Sequence, residues 1–561
     1  MKNFSTVLKQ AYDDNPDKTS IVLLERDVDD RVVTYGDLIR EAAGYARALE
    51  QAGIEPGDLV IQIQQHGMDL VSAFYGAILR GAIPSILPFL TEKLSPEIYR
   101  RSLMALIKVS RPAAIITYPE FKSEVDKALE EGNSVRAVLL ENEISRDPHP
   151  DWSLLRGLER DPSEIVLLQH SSGTTGLQKG VALSHEAIFN QLENYARAID
   201  LTAEDVIVSW LPLYHDMGLI AGFILPILRQ IPLVMMSPFD WVRAPYRLMQ
   251  AITKYQGTLA WLPNFAYNFC AQKIRDRHLE GADLSSWRAV INCSEPIYAS
   301  SHQMFLERFK EYGFRPEALA SSYAMAENVF AVTQGGIHEP LKMDVIDKQA
   351  FQEQKIARPA TGSEETLTMV SSGVPIHNTE IRIFDEERRE LQDRQLGEIA
   401  LRSDCMLTGY YNRPDVTAEA FHGEWYLTGD LGYRVGDELY VSGRKKDLII
   451  VGGKNIYPQD IEALAGEVQG VHPGRIVSFG VYSEQVGSEE VVVIAESDEE
   501  DPEERKRIAN QIRQSVTKGS DIALRYVEVV DRDWLIKTSS GKIARSANRG
   551  KYQSVFRGED V

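Results

Sequence analysis

The chain has 561 residues, a mass of 63.1 kDa, 43% hydrophobic residues and 25% charged residues. This length and composition exclude a peptide hormone, a lone binding module and a fibrous repeat, and they favour a folded protein with two or more packed units. Its 82 acidic residues outnumber its 61 lysines and arginines, which gives a formal net charge of −21. Because that charge repels polynucleotides and anionic lipids, we expect neither as a partner unless a local basic patch intervenes.

The cysteines and the first residues indicate a reducing compartment. The three cysteines, Cys270, Cys293 and Cys405, are too far apart for a local zinc-ligand pair and too few for a disulfide framework. The N-terminal residues show no basic leader followed by an apolar core, and the longest apolar stretch, residues 218–228, is too short to span a bilayer. We therefore expect a cytoplasmic protein without secretion or membrane insertion.

Helix-like and strand-like segments alternate along the chain. Residues 34–53 place apolar side chains at helical spacing, with Thr34 and Asp37 as a cap-like pair at the start. Residues 58–64 then alternate like a strand, and residues 68–84 return to a helical pattern. Further short apolar runs, each set between helical or turn-rich stretches, occupy residues 165–168, 206–208, 233–235 and 289–292. Alternation of this kind predicts an α/β sheet protein.

The composition changes near Arg444, where GRKKD precedes the apolar run LIIVGG. This charged segment is a candidate hinge. Strand-like segments follow at residues 475–482, 490–495 and 526–530, and residues 502–516 have helical spacing. A small α+β unit is predicted there.

The most specific motif is SSGTTGLQKG, residues 171–180. Its glycines let backbone amides crowd together, and its hydroxyls and lysine supply donors and positive charge, which suits a polyphosphate. It differs from the kinase-type phosphate loop, because Leu177 and Gln178 stand where Gly-Lys is required and a strand-like segment follows. A flexible Ser/Gly turn is the alternative interpretation.

From TYGDLIREA at residue 34 to KTSSGKIAR near residue 545, the chain resembles the adenylate-forming superfamily of acyl- and aryl-CoA ligases, luciferases and peptide-synthetase adenylation domains. It is most similar to the fatty acyl-AMP ligases. The segments that carry the resemblance, in order, are SSGTTGLQKG, LPLYHDMGL, NCSEP, SSYAMAE, WYLTGDLGY, GRKKDLIIVGGKNIYPQDIE and LIKTSSGKIAR. The resemblance implies a large ATP- and acyl-binding domain of β-sheets and helices over residues 1–443, a hinge at 444–446, and a small mobile α+β domain over 447–561.

The resemblance also implies ATP and Mg²⁺ as cofactors, with Lys542, Glu327, Lys179 and His215 as catalytic residues. Lys542 would reach from the small domain to the substrate carboxylate and the α-phosphate, where a cation offsets the meeting of two anions. Glu327 and Thr174 would bind Mg²⁺. His215 would line the acyl pocket rather than act as a general base, because the substrate carboxylate, with a pKa of ~4, is already ionised at neutral pH.

Nucleotide contacts are implied in the same way. Tyr323 would stack on the adenine, Asp430 would accept hydrogen bonds from both ribose hydroxyls, Arg444 would contact the ribose, and Lys446 would be the pivot. The full implied set is Ser171, Ser172, Gly173, Thr174, Thr175, Lys179, Ser294, Glu295, Pro296, Ser322, Tyr323, Asp430, Arg444 and Lys542. Ala324 stands where the family has glycine. Taken singly, these residues also fit a helix face, a turn or an exposed loop.

Two segments favour the acyl-AMP ligase branch. One is KNIYPQDIE, and the other is residues 335–373, which look like that branch's extra insertion. In the family this insertion is thought to restrict rotation of the small domain and to disfavour transfer to free CoA. Gln178 and the sequence LQHSSGTTG favour ordinary CoA ligases instead.

We therefore expect a fatty acyl-AMP ligase that converts a carboxylic acid and Mg-ATP to an acyl-adenylate and pyrophosphate, and then acylates the phosphopantetheine thiol of a stand-alone acyl carrier protein. The alternatives are an acyl- or aryl-CoA ligase and a catalytically inactive adenylate-binding regulatory protein. The second is disfavoured because Lys179, Glu327, Asp430 and Lys542 are all retained.

Because carrier proteins are acidic, we expect a local basic surface on this chain where the carrier binds. The candidate residues for this surface are Lys445, Lys446, Arg505 and Lys506. The acyl chain length is not predicted. Trp210, Trp261, Phe265 and Tyr267 fit either pocket walls or core.

Overall fold

The computed structural model describes residues 2–26, 28–89, 96–170, 179–362, 364–451, 454–483, 488–520, 524–538 and 541–557. Within that part of the chain, a seven-stranded sheet and a four-stranded sheet form the N-terminal framework. The larger sheet has the spatial order Leu319–Ser321, Ala289–Asn292, Leu259–Leu262, Ile207–Ser209, Leu233–Met236, Thr19–Leu24, Arg31–Thr34. The smaller has the order Ile83–Ile86, Leu59–Ile63, Ala114–Thr117, Ala137–Leu140. All their pairings are parallel except the last pair of the larger sheet.

Helices join these strands, and the predicted α/β class is confirmed. The predicted helix near residue 34 is Tyr35–Gln51, and the Thr34 hydroxyl caps it by accepting from the Asp37 backbone N–H. The other α-helices of this part are Phe4–Asp14, Met68–Arg80, Pro96–Ser110, Lys122–Ala128, His185–Ala198, Leu225–Leu228, Pro238–Arg243, Tyr246–Tyr255, Asn264–Lys273, Ala299–Phe309, Lys348–Gln354 and Pro414–Glu419, with a π-helix at Met217–Ile224. No helix within the described ranges is long and apolar enough to cross a membrane.

The alternation of strands and helices did not predict an antiparallel sheet later in the chain. Its strands are Thr379–Phe384, Gly397–Ser403, Phe421–His422, Trp425–Val435 and Glu438–Arg444. Antiparallel neighbours need only short turns between them, so the helices that mark parallel crossovers are missing from the sequence pattern here. In this sheet Asp430 and Arg444 are register partners on adjacent strands.

Three short pairings complete the N-terminal part that the structure describes. They are Ile165–His170 with Gly180–Ser184 and Gly409–Tyr410, Thr333–Gln334 with Val374–Pro375, and Met343–Asp347 with Thr366–Val370.

The C-terminal part forms an α+β unit with its own apolar core. Its strands are Ile449–Val451, Lys454–Ile456, Ile476–Ser483, Ser488–Glu496 and Tyr526–Val530, and its helices are Pro458–Gly466, Pro502–Ser520, Arg545–Tyr552 and the π-helix Gln553–Arg557. Ile449, Val493 and Ile512 belong to a buried cluster separate from the large N-terminal core. The three predicted strands and the predicted helix of this unit begin within two residues of observed elements and overlap them almost completely.

The segment 335–373 connects the two parts through aromatic rings. Its helix Lys348–Gln354 presents Phe351 to Tyr457, with ring centroids 5.8 Å apart and planes at 26°. Tyr433 and Tyr440 stack beside them at 5.0 Å, and all four rings belong to one buried cluster. The apolar contact between the predicted insertion and the small unit is therefore direct.

Gly373 fixes the base of this segment. Its φ is +94°, and a Cβ there would lie 2.1 Å from the Gln334 carbonyl carbon. We expect Gly373→Ala to destabilise the fold by about 2 kcal/mol or more, because the side chain meets backbone and the left-handed conformation is strained. Denaturant unfolding measures the change. Gly67→Ala is the control, since Gly67 is extended and has open space around it; equal losses in both variants would contradict the prediction.

Candidate active site

A cavity of about 780 Å³ opens between the N-terminal part and the C-terminal unit. The sequence-predicted residues that line it are Lys179, His215, Ser294, Glu295, Pro296, Ser322, Tyr323, Glu327, Asp430, Arg444, Lys446 and Lys542. Ser171, Ser172, Gly173, Thr174 and Thr175 lie outside the described residues. Every predicted site residue that the structure describes thus borders one cavity, although these residues span more than 360 positions of sequence.

The parallel sheet explains why two of the predicted segments meet. The strands Ala289–Asn292 and Leu319–Ser321 are parallel neighbours, and the segments of Ser294 and Ser322 follow at their carboxyl ends. Carboxyl ends of parallel strands share one edge of a sheet, which is where α/β proteins bind ligands. Ser294 has a φ of +72°, a left-handed conformation that is uncommon for serine.

Glu327 is a buried carboxylate held by a tyrosine. The Tyr410 hydroxyl donates to Glu327 Oε1 at 2.8 Å, and the Tyr426 hydroxyl lies 2.9 Å from that of Tyr410. Burial raises the pKa of Glu327, and the Tyr410 hydrogen bond only partly opposes this. No lysine or arginine forms an ion pair with Glu327 among the described residues, so its charge lacks a cationic partner there.

This environment fits a divalent cation. A buried carboxylate bonded only to neutral hydroxyls gains a counter-charge when a hard cation binds, and Mg²⁺ prefers oxygen ligands. The described ranges contain no cluster of three or more His, Cys, Asp or Glu that could hold a metal alone. Glu327 therefore suits Mg²⁺ that arrives with phosphate oxygens as its other ligands, rather than an all-protein cage.

Tyr410 also supports Lys179. The Lys179 Nζ atom lies 4.9 Å from the centroid of the Tyr410 ring, within range of a cation–π interaction. Tyr410 is brought there by its pairing with Val181, two residues beyond Lys179. One side chain thus contacts two predicted site residues. Sequence reasoning missed Tyr410, and its only signal was the GYY segment at residues 409–411.

Asp430 is a second carboxylate that lines the cavity. Its Oδ2 accepts from the Tyr323 hydroxyl at 2.6 Å, and the Arg444 guanidinium lies 3.5 Å from its Oδ1. Burial raises the pKa of Asp430, while Arg444 and Tyr323 act against the increase. A carboxylate with two oriented oxygens at this depth suits a pair of neighbouring hydroxyls.

Lys542 enters the cavity from the C-terminal unit. Its Nζ donates to the Ser294 carbonyl at 2.7 Å. Nearby, His215 Nδ1 lies 2.6 Å from Asp216 Oδ1. Burial acts to raise the pKa of Asp216, but His215 and Lys542 outweigh it and the pKa is lowered. Asp216, which follows His215 in LPLYHDMGL and is not among the predicted site residues, itself lines the cavity.

Each candidate cation of the predicted basic surface lies in the cavity or beside an acidic residue. Lys445 binds the buried Glu398 at 3.2 Å, and burial lowers the pKa of Lys446, which lines the cavity. Arg505 forms an ion pair with Asp531, and Lys506 lies 2.7 Å from Glu503. These cations are thus engaged inside the cavity or by neighbouring acids.

Of the four aromatic residues that fit either a pocket wall or the core, three lie in the core. Trp210 stacks on Trp241 at 3.6 Å, the Trp261 indole donates to the Tyr195 hydroxyl, and the Tyr267 hydroxyl donates to the Val290 carbonyl. All three are buried, whereas Phe265 is partly exposed. None of the four is among the described residues that line the cavity.

A family model described as AMP-binding enzyme matches residues 8–411. The chain belongs to this family. It is 30% identical to a long-chain fatty acid–AMP ligase of Mycobacterium marinum, over 99% of this chain and 97% of that protein. It is 28% identical to a medium-chain fatty acid–[acyl-carrier-protein] ligase of Moorena producens, over 93% of this chain and 90% of that protein.

The fold comparison agrees. A chain from a structural study of fatty acyl-adenylate ligases from E. coli and L. pneumophila superposes with a TM-score of 0.90 and 26% identity, covering 100% of this chain and 98% of that one. The predicted membership of the adenylate-forming superfamily is confirmed, and the chain is an AMP-forming acyl ligase.

Proposed function

We propose that this protein is a fatty acyl-AMP ligase: it activates a fatty acid with Mg-ATP and passes the acyl group to the phosphopantetheine thiol of a carrier protein. The observation that carries the proposal is the position of Lys542, which lies within the cavity on the Ser294 carbonyl. Lys179, Glu327 and Asp430 line the same cavity, so one ligand would contact all four. A cytoplasmic location stays a prediction of the sequence.

In the first step, a carboxylate oxygen of the acid forms a bond to the α-phosphorus of ATP. The bond from that phosphorus to the bridging oxygen breaks, and pyrophosphate leaves with the electron pair. Lys542 would neutralise the charge that accumulates as the two anions meet, since its ammonium is free to exchange a neutral carbonyl for charged oxygens. Asp430 would hold the ribose hydroxyls, with Tyr323 keeping the carboxylate in position.

Glu327 would hold Mg²⁺, together with Thr174, which lies outside the described residues. When bound, Mg²⁺ neutralises the phosphate charge that develops on the leaving pyrophosphate. His215 would line the pocket and pair with Asp216. It need not act as a base, because the fatty acid substrate is already ionised at neutral pH.

In the second step, the thiol sulfur bonds to the acyl carbon and the bond from that carbon to the AMP oxygen breaks. AMP leaves, and the thiol proton passes to solvent. Lys542 occupies the region that the thiol must approach, so the small unit has to turn away first, with Lys446 as the proposed pivot.

A carrier thiol is favoured over free CoA by the Phe351–Tyr457 stack, which ties the small unit to the segment 335–373. The similarity to a fatty acid–[acyl-carrier-protein] ligase supports the same acceptor. An acyl-CoA ligase is the second candidate, favoured by Gln178. Comparing thioester formation with free CoA and with a phosphopantetheinylated carrier protein separates the two, and a panel of acids in a pyrophosphate-release assay defines the acyl group.

We expect Lys542→Ala to lower acid-dependent pyrophosphate release at least about 100-fold, because nothing else in the described cavity supplies a cation from the small unit at the Ser294 carbonyl. ATP binding, measured by calorimetry, should change little. Lys518→Ala is the control, since Lys518 is exposed on the helix Pro502–Ser520 of the same unit. Turnover within a few-fold of the unaltered protein would remove Lys542 from the mechanism.

Tyr410→Phe tests the contribution of the Tyr410 hydroxyl separately from that of its ring. The phenyl ring keeps the Lys179 contact, while Glu327 loses its 2.8 Å donor. A hydrogen bond to a charged group contributes about 1.5–3 kcal/mol, so the Mg²⁺ concentration needed for tight ATP binding should rise about tenfold or more. Calorimetric titration of ATP at several Mg²⁺ concentrations measures this without turnover.

Tyr426→Phe is the matched control for this variant. It removes the other hydroxyl of the pair but leaves the Tyr410 bond to Glu327 in place. Equal Mg²⁺ dependence in the two variants would contradict a specific role for Tyr410.

Phe351→Ala removes one ring of the contact between the segment 335–373 and the small unit. We expect thioester formation with free CoA to rise several-fold, because the small unit then loses an aromatic contact of about 0.5–1.5 kcal/mol beyond its buried area. Tyr457→Phe keeps the stack and serves as control. A thioester assay with CoA measures both, and an unchanged rate in Phe351→Ala would remove the stack as a restraint.

A further inference from the structure

Positive charge is concentrated in one stretch of the N-terminal part. Residues 238–279 contain six lysines and arginines but two acidic residues, whereas the whole chain has a net charge of −21. Two of the six cations are engaged outside the stretch: Lys254 lies 2.6 Å from Asp30, and the Arg247 guanidinium donates to the Glu25 carbonyl. Four exposed cations remain, namely Arg243, Lys273, Arg275 and Arg277.

The two acids of the stretch do not neutralise these cations. Asp276 is paired with Arg308 at 2.6 Å, and Asp240 is half-buried on the helix Pro238–Arg243. Within the described ranges, none of the four exposed cations forms an ion pair with an acid. Their charge is therefore available to a partner.

Exposed apolar side chains lie on the same helices as two of these cations. Phe239 is 38% exposed and Val242 is 51% exposed on the helix Pro238–Arg243, and Phe265 is 44% exposed on the helix Asn264–Lys273. We call this surface the aromatic-basic face. Its members are Phe239, Val242, Arg243, Phe265, Lys273, Arg275 and Arg277.

Ring contacts hold the two helices together. The Trp241 ring centroid lies 6.2 Å from that of Phe265 and 5.3 Å from that of Phe269. Lys273 follows Phe269 by four positions, so it lies on the same side of its helix, the side that meets Trp241. The apolar and basic members of the face are thus neighbours.

A second ring contact brings the remaining cations to the same place. Tyr246 packs on His278 with ring centroids 4.3 Å apart. Arg243 precedes Tyr246 by three positions, and Arg277 directly precedes His278. Cations from two separate segments therefore lie close together on this face.

The face adjoins the cavity wall at two points. The Phe265 backbone N–H donates to Glu295 Oε2 at 3.0 Å, and Glu295 lines the cavity. The Phe239 ring centroid lies 5.3 Å from that of Phe89, which follows the cavity residue Pro88. Both contacts lie within the N-terminal part, so neither involves the C-terminal unit.

We propose that the aromatic-basic face binds the surface of an anionic phospholipid bilayer. The exposed cations attract the headgroups, and the phenylalanine and valine side chains enter the boundary between headgroups and acyl chains. The strong negative charge of the chain opposes such contact elsewhere. The local cluster of exposed cations therefore decides which face approaches the lipid.

A bilayer suits this face better than an acidic protein does. Its rings and cations come from separate short segments, and they match a fluid surface of uniform charge that needs no fixed partner side chains. The link to catalysis rests on the proposed function, in which the substrate is a fatty acid whose apolar chain favours a bilayer over water. A protein held at the bilayer by a face that adjoins its cavity would meet that acid at a raised local concentration.

Sedimentation with vesicles measures the binding directly. We expect the protein to bind vesicles of phosphatidylcholine with about one-third phosphatidylglycerol at least about tenfold more tightly than vesicles of phosphatidylcholine alone. Arg243→Glu should weaken binding to the anionic vesicles about tenfold or more, and the difference should shrink as salt is added. Val242→Asn should weaken binding in the same direction, because it removes apolar contact with the lipid.

Lys518→Glu and Val555→Asn are the matched controls, since both residues are exposed on the C-terminal unit. Both variants should bind vesicles as the unaltered protein does. Equal losses in the controls, or equal binding of the unaltered protein to neutral and anionic vesicles, would overturn the proposal. Normal vesicle binding by Arg243→Glu together with a raised KM for a carrier protein would overturn it in favour of a protein partner.

Two acids separate a failure of this proposal from a failure of the proposed function. With a short, water-soluble acid, Arg243→Glu should release pyrophosphate at the rate of the unaltered protein. With a long-chain acid presented in anionic vesicles, the same variant should need several-fold more lipid for half of the maximal rate. Adenylate formation without vesicle binding would overturn the lipid-binding face alone, whereas vesicle binding without adenylate formation from any acid would overturn the proposed function alone.

Discussion

The hydrogen bond from Lys542 to the Ser294 carbonyl is the contact on which the rest of the site depends. It brings a cation from the small unit into a cavity already lined by Asp216, Glu327 and Asp430. Ser294 presents its carbonyl there with a left-handed backbone, at the edge where parallel strands end. A neutral carbonyl holds an ammonium more weakly than an anion does. Lys542 is therefore held in position but can still move to a negatively charged ligand.

Tyrosine hydroxyls donate to two of the acids in the cavity. Tyr410 donates to Glu327, and Tyr323 donates to Asp430 at 2.6 Å, where Arg444 also lies 3.5 Å away. At Glu327 the neutral donor orients the carboxylate but leaves most of its charge uncompensated, which is the condition in which a carboxylate still attracts a metal ion. Burial raises the pKa of both Glu327 and Asp430. Their ionised forms therefore carry a desolvation cost until a ligand supplies a compensating charge or hydrogen bond.

The sequence predicted those parts of the fold and site that lie in contiguous segments. The helix after Thr34, the parallel strands and the segments around Ser294 and Asp430 each carry their signal within a few residues. Tyr410 could not be found this way, because its role depends on pairing with Val181, more than 200 residues earlier. The antiparallel sheet was missed because hairpins lack the crossover helices that signal parallel strands.

Other residues were ambiguous for physical reasons. Trp210, Trp261 and Tyr267 are core residues, but a pocket wall and a core have the same apolar composition. Arg505 and Lys506 were predicted to form a basic surface, yet the acidic residues just before them in ESDEEDPEERKR indicate that such cations find partners nearby.

The pairing of Asp430 with Arg444 has a consequence for the order of events. These residues are partners in one antiparallel ladder, and Arg444 is two positions from Lys446. Under the proposed function, a nucleotide held by Asp430 would rest against the strand that leads to the proposed pivot at Lys446. Departure of AMP and resetting of the small unit would then share a local cause at the end of that strand, with no need for a signal carried across the core.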